Sequence, residues 1–421
     1  MIDENTGDLD ISSLEAFVPR GLISPGIDVF RAEVTSEGLC PVRICWKDNC
    51  ITSIQSIHNR PESSLKLLLP RFIEPHAHVD KAFTWQDFPN LEGTYEGALK
   101  ANFQEHQTRT AERVHFRAER SFKKALKNGL RAIRTHVDSS GPFAEQTWDT
   151  LVELRRKWQK LIQLQFVAMA PLEDWTSPAG EKFARRVADV GGLLGGVLVP
   201  PIQGKQSRQL LVQLFGLANH LGCGVDLHID ESHRFPAAGL NQVINVLDEL
   251  NFKISLTCSH LSSISLLKER RLRVLAERLA EHEVNVVALP LTNSWLLGRR
   301  ERNTPLQRPM APIKQLQKAG VTVAVGGDNV QDPWFPGGAF DPLSLMSFSM
   351  PIAQLAPWNR LGLAPFTTSC ARIMGLEWDC TFGSGSPADF VCVEAQTWAE
   401  VLSSSPKRKV VLNGKYLDES N

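Results

Sequence analysis

Between residues 66 and 327 the chain alternates short, nearly continuous apolar runs with longer stretches, several of which have apolar residues at helical spacing. Short runs rich in branched aliphatic residues are typical of parallel strands that are buried on both faces. The eight runs are Leu67–Ile73, Leu130–Thr135, Ile162–Ala168, Leu193–Val199, Gly224–Leu227, Lys253–Cys258, Val284–Leu289 and Val321–Val325. Eight strands that alternate with helices predict an α/β fold, namely a (β/α)8 TIM barrel.

Both ends of the chain follow a different pattern. Residues 18–60 and 385–418 contain short β-like segments separated by turns, one of them around Asn413-Gly414, a pair that favours hairpin turns. We therefore expect a small β-sandwich domain built from both chain ends. Its two parts are expected at 1–65 and 381–421, with the barrel at 66–380.

Composition narrows the range of partners. The 421 residues fit one barrel of roughly 250 residues with a smaller accessory domain. Lys and Arg together number 46, as do Asp and Glu, and this balance disfavours nucleic acid and anionic membranes as partners. The eight cysteines include no C-x-x-C pair, the N-terminus lacks a signal segment, and no apolar run approaches roughly 20 residues. These features favour a cytoplasmic protein with a small-molecule partner, and leave a homo-oligomer open.

Histidines and an aspartate lie where four of the eight predicted strands end. His76 and His78 follow the first strand, His228 ends the fifth, His260 ends the sixth, and Asp328 follows the eighth. The C-terminal ends of the strands surround the mouth of such a barrel, where catalytic groups lie. His76 and His78 are two residues apart in extended backbone and so project to the same side. One H-x-H pair is weak evidence, but the full set predicts a metal site.

The residue types indicate which metals this site would accept. Neutral imidazoles together with one carboxylate suit Zn(II) or Fe(II) and leave a coordination position open for water. The sequence does not distinguish between these two metals.

Five segments resemble the amidohydrolase superfamily, and within it the cytosine deaminase-like branch. They are Glu74-Pro75-His76-Ala77-His78-Val79-Asp80, Arg134-Thr135-His136-Val137-Asp138, His228-Ile229-Asp230-Glu231, Ser259-His260 and Asp328-Asn329-Val330-Gln331-Asp332-Pro333-Trp334. The resemblance implies four metal ligands, which are His76, His78, His228 and Asp328. It also implies that Asp328 is catalytic, that Glu231 is the proton shuttle, and that His260 hydrogen-bonds the metal-bound hydroxide.

The resemblance further implies a single metal. Two-metal members of the superfamily use a bridging carboxylated lysine at the end of the fourth strand, and this end reads Gly196-Val197-Leu198-Val199-Pro200-Pro201. No lysine is available there. His136, at the end of the second strand, is expected to be a hydrogen-bond partner rather than a ligand.

The expected reaction is hydrolytic deamination of a small aminated nitrogen heterocycle, pyrimidine- or triazine-like, with release of ammonia. Metal-bound hydroxide would add to the ring carbon that carries the amino group, and Glu231 would protonate first the ring nitrogen and then the leaving group. Two alternatives stay open. One is an amidohydrolase that opens a cyclic amide or releases an alkylamine, and the other is a catalytically silent barrel that acts as a binding protein.

Departures from the family bear on the substrate. Leu172 stands where cytosine deaminases place a glutamine that binds the pyrimidine edge. An apolar side chain cannot make this contact, which argues against cytosine as the substrate. Glu173 is a candidate to take the place of the glutamine. Asn329 stands where they carry a second aspartate, and His78–Thr84 together with Asn329 is closer to triazine-ring hydrolases that remove an alkylamino group. We expect Trp334 to stack on a ring. Lys81 is expected to contact the substrate or to form a salt bridge.

Overall fold

The computed structural model describes residues 11–27, 33–58, 65–250 and 253–417. The strands are β1 (Ile11–Pro19), β2 (Leu39–Lys47), β3 (Cys50–Ser56), β4 (Lys66–Pro70), β5 (Phe72–Ala77), β6 (Leu130–Asp138), β7 (Gln163–Ala170), β8 (Leu193–Leu198), β9 (Val225–Ile229), β10 (Leu256–His260), β11 (Asn285–Ala288), β12 (Val323–Val325), β13 (Phe390–Val393), β14 (Arg408–Leu412) and β15 (Lys415–Tyr416). The helices are α1 (Tyr95–Gln107), α2 (Ala111–Lys127), α3 (Ala144–Trp158), α4 (Pro178–Asp189), α5 (Gly204–Leu221), α6 (Ala238–Glu249), α7 (Glu269–Glu281), α8 (Pro290–Leu296), α9 (Ile313–Lys318), α10 (Pro342–Ala353), α11 (Arg360–Leu363), α12 (Thr368–Ile373) and α13 (Trp398–Ser404).

Strands β5 to β12 form an eight-stranded sheet in chain order. Neighbouring strands from β6 to β11 pair in parallel, and β11 pairs in parallel with β12. A parallel bridge between Ala77 and Asp328, supported by a 2.9 Å hydrogen bond from the amide of Asp328 to the carbonyl of His76, joins the first strand to the last. The sheet therefore closes on itself, and the predicted (β/α)8 barrel is confirmed.

The first predicted run, Leu67–Ile73, is in fact two strands in two sheets. Strand β4 pairs with β1 and β13, whereas β5 begins the barrel. Arg71 separates them, and its buried guanidinium donates hydrogen bonds to the carbonyl of Leu130 at 2.6 Å and to Asp389 at 3.3 Å. The expected limits of this strand are wrong because both strands are buried, so their apolar pattern does not mark the change of sheet.

The other seven strands come from both ends of the chain, as predicted. They form one hydrogen-bonded sheet in the order β15-β14-β13-β4-β1-β2-β3. Asn413 (φ 50°) and Gly414 (φ 76°) turn the chain between β14 and β15. Positive φ at both central residues is what a type I′ hairpin turn requires, and Asn-Gly supplies it at low cost.

The chain divides into two compact units, one of which contains residues Glu74–Lys124 and Ala132–Phe340. The second contains Met1–Ile73, Ala125–Arg131 and Asp341–Asn421. The domain limits expected from the sequence stay a prediction. Within the part of the chain that the structure describes, no helix has the length and apolar character needed to cross a membrane.

Candidate metal and catalytic site

Four buried side chains converge where the first and last barrel strands meet. We call them the metal face: His76, His78, His228 and Asp328. The Oδ1 of Asp328 lies 3.5 Å from the Nε2 of His76 and 3.3 Å from the Nε2 of His78. The Nε2 of His228 lies 3.4 Å from that of His78. These distances follow from the fold, because His76 lies in β5, His78 follows two residues later on the same side, and the bridge at Ala77 brings Asp328 beside them.

Hydrogen bonds determine which ring nitrogen of His76 and of His78 faces the proposed metal position. Ser259 donates its hydroxyl proton to Asp226 at 2.9 Å, so its oxygen accepts from the Nδ1 of His76 at 2.9 Å. The Nδ1 of His78 faces the carbonyl of His136 at 3.1 Å, and a carbonyl only accepts. Both rings therefore carry a proton on Nδ1 and turn Nε2 toward Asp328.

The metal face has the properties of a cation site. Among the residues described by the structure, the Nε2 of His76 and both carboxylate oxygens of Asp328 are buried without a hydrogen-bond partner. Burial, reinforced by the neighbouring histidines, lowers the pKa of His76 and of His228 well below the ordinary value. Their rings are neutral at neutral pH, as metal coordination requires. Unpaired buried polar atoms are costly, and a bound cation would satisfy them.

Two further histidines adjoin this face. The ring of His136 stacks on that of His76, with centroids 3.8 Å apart and planes at 26°. His136 also approaches Asp226 at 3.6 Å, but Arg134 already binds the same carboxylate oxygen at 2.8 Å. His260, on β10, can form a group of potential ligands with His76 and Asp328, whose ligand atoms lie within 4.8 Å of one another. Among the residues that the structure describes, the geometry alone therefore leaves three overlapping triads, all of which include His76.

Glu231 and His260 lie side by side next to the metal face. The Oε1 of Glu231 is 3.4 Å from the Nδ1 of His260, and the amide nitrogen of Asn293 is 3.0 Å from the same ring nitrogen. Burial raises the pKa of Glu231 well above its ordinary value, and the charge of Asp328 adds to the rise. Burial lowers the pKa of His260 to about 4, against the opposing effect of Asp328. Burial therefore disfavours the charged form of both groups.

The backbone around these two groups is held in an uncommon conformation. Asp230 (φ 53°), His260 (φ 72°) and Asp328 (φ 61°) all lie in the left-handed region. The carboxylate of Asp230 accepts hydrogen bonds from the amides of Gly239 and Leu240 at 2.8 and 2.9 Å, at the start of α6. These bonds hold the strand end that carries Glu231.

A cavity opens beside the metal face and encloses about 370 Å³, including the part that is open to solvent. This volume is typical of small-molecule sites, which range over roughly 300–1,000 Å³. The residues that line it are His78, Lys81, Tyr95, Met169, Val197, His228, Glu231, His260, Asp328, Asn329 and Trp334. Lys81, Asn329 and Trp334 were predicted as substrate contacts. Tyr95, Met169 and Val197 were not.

The two remaining predicted contacts lie elsewhere. Leu172 is buried, and a methyl group of its side chain lies 2.5 Å from where a Cβ on Gly196 would stand. Glu173 is exposed. Neither lines the cavity, because β7 ends at Ala170 and the chain then turns into a short 3-10 helix. The cavity-lining residue from this strand is Met169.

Lys81 belongs to a buried ionic network at one side of the cavity. Its ammonium group lies 3.0 Å from Asp138, and Arg109 binds Asp138 at 3.1 Å and Asp80 at 3.0 Å. Burial opposes the charge of Lys81, but Asp138 and Asp80 outweigh it, so its pKa is raised. Lys81 therefore remains a cation in the cavity wall, and both expected roles of this residue are compatible with its position.

An aromatic pair and an amide complete the wall. Trp334 and Tyr95 meet edge to face, with ring centroids 5.0 Å apart, and the Nζ of Lys81 is 6.0 Å from the Trp334 centroid. The amide of Asn329 donates to Asp332 at 2.8 Å, and Asp332 also accepts the backbone amide of Trp334 at 2.9 Å. Asp332 thus holds the side chain of Asn329 and the backbone of Trp334.

The chain is similar to known proteins over most of its length. A profile of the amidohydrolase family matches residues 118–417. The pterin deaminase of Rhizobium rhizogenes (strain K84) is 31% identical over 397 residues, which cover 92% of this chain and 90% of that protein. The N-isopropylammelide isopropyl amidohydrolase of Pseudomonas sp. (strain ADP) is 23% identical over 83% of this chain and 86% of its own length.

A solved structure shows the same fold. The 5-methylcytosine deaminase of Klebsiella pneumoniae superposes with a TM-score of 0.80 at 22% identity, and the match covers 96% of this chain and 98% of that one. The resemblance inferred from the strand-end motifs is confirmed. The chain therefore belongs to the amidohydrolase family and is a hydrolase that acts on carbon–nitrogen bonds other than peptide bonds.

Proposed function

We propose that this protein hydrolytically deaminates a small aminated nitrogen heterocycle, using one divalent metal, Zn(II) or Fe(II), held by His76, His78, His228 and Asp328. The observation that carries the proposal is the metal face itself. Its three imidazoles and one carboxylate converge within 3.3 to 3.5 Å, beside a cavity that Glu231 and His260 also line. Such a donor set suits these two metals.

A single metal is favoured over a bridged pair. The end of β8 offers Gly196, Val197 and Leu198, and none of these side chains can bridge two cations. The alternative triad of His76, His136 and Asp226 would share a ligand with the metal face, and it would need a carboxylate that Arg134 already pairs.

The reaction replaces an amino group by oxygen. A water oxygen bonds to the ring carbon, the carbon–nitrogen bond breaks, and the nitrogen leaves as ammonia. When bound, a divalent cation acts as a Lewis acid and lowers the pKa of a coordinated water toward roughly 7. In its ionised form, which a neighbouring cation would favour against the effect of burial, Glu231 takes up in turn the two protons that the water gives up. It delivers the first to the ring nitrogen and the second to the departing amine. His260 stabilises the oxygen as charge develops on it.

The other side of the cavity would hold the ring. We call Lys81, Tyr95, Met169, Asn329 and Trp334 the ring face. In our proposal Trp334 and Tyr95 contact the flat surface and edge of the heterocycle, Lys81 approaches an electron-rich oxygen or nitrogen of the ring, and Asn329 binds its edge. Leu172 would act indirectly, by packing against β8.

An aminated pteridine is the first substrate to test. The pterin deaminase relative shares 31% identity with this chain over 92% of its length. The third barrel strand presents apolar Met169 to the cavity, and a thioether cannot make the two-point amide contact that would read a pyrimidine edge. The first point favours a pterin-like ring, and the second argues against cytosine bound as cytosine deaminases bind it.

The test is a substrate panel with the protein loaded in turn with Zn(II) and Fe(II). Pterin, cytosine, 5-methylcytosine and an N-alkylated aminotriazine would be incubated, with ammonia, alkylamine and product mass measured. We expect ammonia in equimolar amount with a product in which oxygen replaces the amino group. Alkylamine release without ammonia, or addition of water with ring opening, would establish the alternative amidohydrolase reaction. No turnover and no bound metal would support a binding protein.

A further inference from the structure

We infer that the side-chain amide of Asn293 holds His260, the group already proposed to stabilise the reacting oxygen, in the tautomer that carries its proton on Nε2. This inference rests on the proposed site. Asn293 acts through His260, and is therefore a positioning residue.

Asn293 is fully buried on α8, the short helix that follows β11. Its amide nitrogen lies 3.0 Å from the Nδ1 of His260 and 3.4 Å from the Oε1 of Glu231. The preceding residue, Thr292, donates its hydroxyl to the side-chain oxygen of Asn329 at 3.3 Å. One turn of α8 therefore contacts both the catalytic pair and the ring face.

The direction of these contacts follows from the chemistry of an amide. An amide NH₂ group only donates, and it has two hydrogens, one for each neighbour. The Nδ1 of His260 must then accept, and in a neutral imidazole the proton must lie on Nε2. A reversed amide would place its oxygen beside the Oε1 of Glu231, which has no proton to donate in the ionised form that the proposed reaction uses.

Without Asn293, His260 could form a different hydrogen bond, from its Nδ1 to Glu231. The Nδ1 of His260 is also 3.4 Å from the Oε1 of Glu231. Without the amide, the ring could place its proton on Nδ1 and donate it to the carboxylate, leaving a lone pair on Nε2. The 3.0 Å contact to Asn293 is the shorter of the two and favours the opposite tautomer.

The tautomer of His260 determines what its Nε2 atom can do in the cavity. Among the described residues, the Nε2 of His260 is buried and has no hydrogen-bond partner, while His260 itself lines the cavity. A proton on Nε2 can be donated to an oxygen that bonds to the ring carbon, which stabilises developing negative charge. The same proton removes the Nε2 lone pair, so the triad of His76, His260 and Asp328 cannot bind a metal through it.

The tautomer can be measured directly in the full-length protein. Histidine rings would be labelled with ¹⁵N, the metal removed with a chelator, and long-range ¹H–¹⁵N correlations recorded, with the His260 signals identified by their loss in His260→Gln. We expect a protonated Nε2 and an unprotonated Nδ1. A protonated Nδ1 would overturn the inference. The measurement needs neither metal nor substrate, so its result is independent of whether the proposed deamination occurs.

A variant tests the role of Asn293 in turnover. In Asn293→Leu we expect the Nε2-protonated population to fall and kcat to drop by about 10- to 100-fold, with KM near that of the parent. Ser294→Ala, on the same helix, is the matched control and should change neither. An unchanged His260 spectrum and kcat in Asn293→Leu would overturn the inference. If that variant does not fold, Asn293→Asp takes its place, because a carboxylate of the same shape accepts from the Nδ1 of His260 and should shift the proton there; an unchanged His260 spectrum in Asn293→Asp would overturn the inference.

Discussion

The metal face and the ring face line the same cavity, but they are built in different ways. His76, His78, His228 and Asp328 lie in or directly after barrel strands, so the sheet register fixes their separations. Tyr95 and Trp334 come from the segments after β5 and β12, and the carboxylate of Asp332 holds the backbone of Trp334 in place. Fixed separations between the side chains of the metal face suit metal coordination, which requires a defined geometry. Ring-face residues outside the strands, such as Tyr95 and Trp334, can change without altering that geometry, which is how one barrel serves many substrates.

The largest effect is expected on the metal face. Asp328→Ala removes the carboxylate that faces two imidazoles at 3.3 and 3.5 Å, so both bound metal and turnover should be lost. Metal analysis and ammonia release measure the two quantities. Asp189→Ala, at an exposed aspartate on α4, is the control. Full metal content in the Asp328→Ala protein would show that metal binding does not require this carboxylate, and would contradict the assignment of Asp328 to the metal face.

Glu231→Gln should separate metal binding from proton transfer. The amide keeps the shape of the side chain but cannot shuttle a proton, so turnover should fall by about 10²- to 10⁴-fold. Metal content should remain that of the parent, because Glu231 is not part of the metal face. Full activity in this variant would contradict the proposed mechanism.

The same contrast explains what the sequence could predict. The eight strands, and the His and Asp residues at their ends, follow from apolar periodicity and from the rule that strand ends surround the mouth. Tyr95 lies beyond a loop without periodicity, and no motif marks it. Asn293 is a single amide on a short helix, and its importance depends on the position of His260 in three dimensions. Met169 could have been found by following the alternation of side chains along β7.

Ser259→Ala tests how the metal face is oriented. Loss of the hydroxyl breaks the link between Asp226 and the Nδ1 of His76, so that ring is free to adopt its other tautomer. We expect metal affinity to fall by about 10- to 100-fold, with turnover restored at saturating metal. Metal titration against a competing chelator measures this. Ser265→Ala, which removes only a bond to the carbonyl of Ser262, should have unchanged affinity.

Trp334→Ala should affect the ring face alone. Loss of an aromatic contact of about 0.5–1.5 kcal/mol corresponds to a rise in KM of roughly 2- to 10-fold. Metal content should not change, and Trp334→Phe should restore most of the affinity. Steady-state kinetics with the best substrate of the panel measures both variants. A loss of metal in Trp334→Ala would show that the faces are not independent.

The smallest effect on turnover is expected from Leu172→Gln. This side chain packs against Gly196 outside the cavity, so the new amide should not bind the substrate or create cytosine deamination. Burying an amide without partners should instead lower the free energy of unfolding by about 1–3 kcal/mol. Chemical denaturation and the substrate panel measure the two effects. Acquired activity toward cytosine would place Leu172 on the ring face.

The metal content of the purified parent protein tests the central proposal most directly. Elemental analysis after growth with Zn(II) or Fe(II), combined with the same analysis of His78→Ala, should give one equivalent per chain in the parent and almost none in the variant. Two equivalents in the parent would contradict a single-metal site. Full retention in His78→Ala would contradict the proposed ligand set.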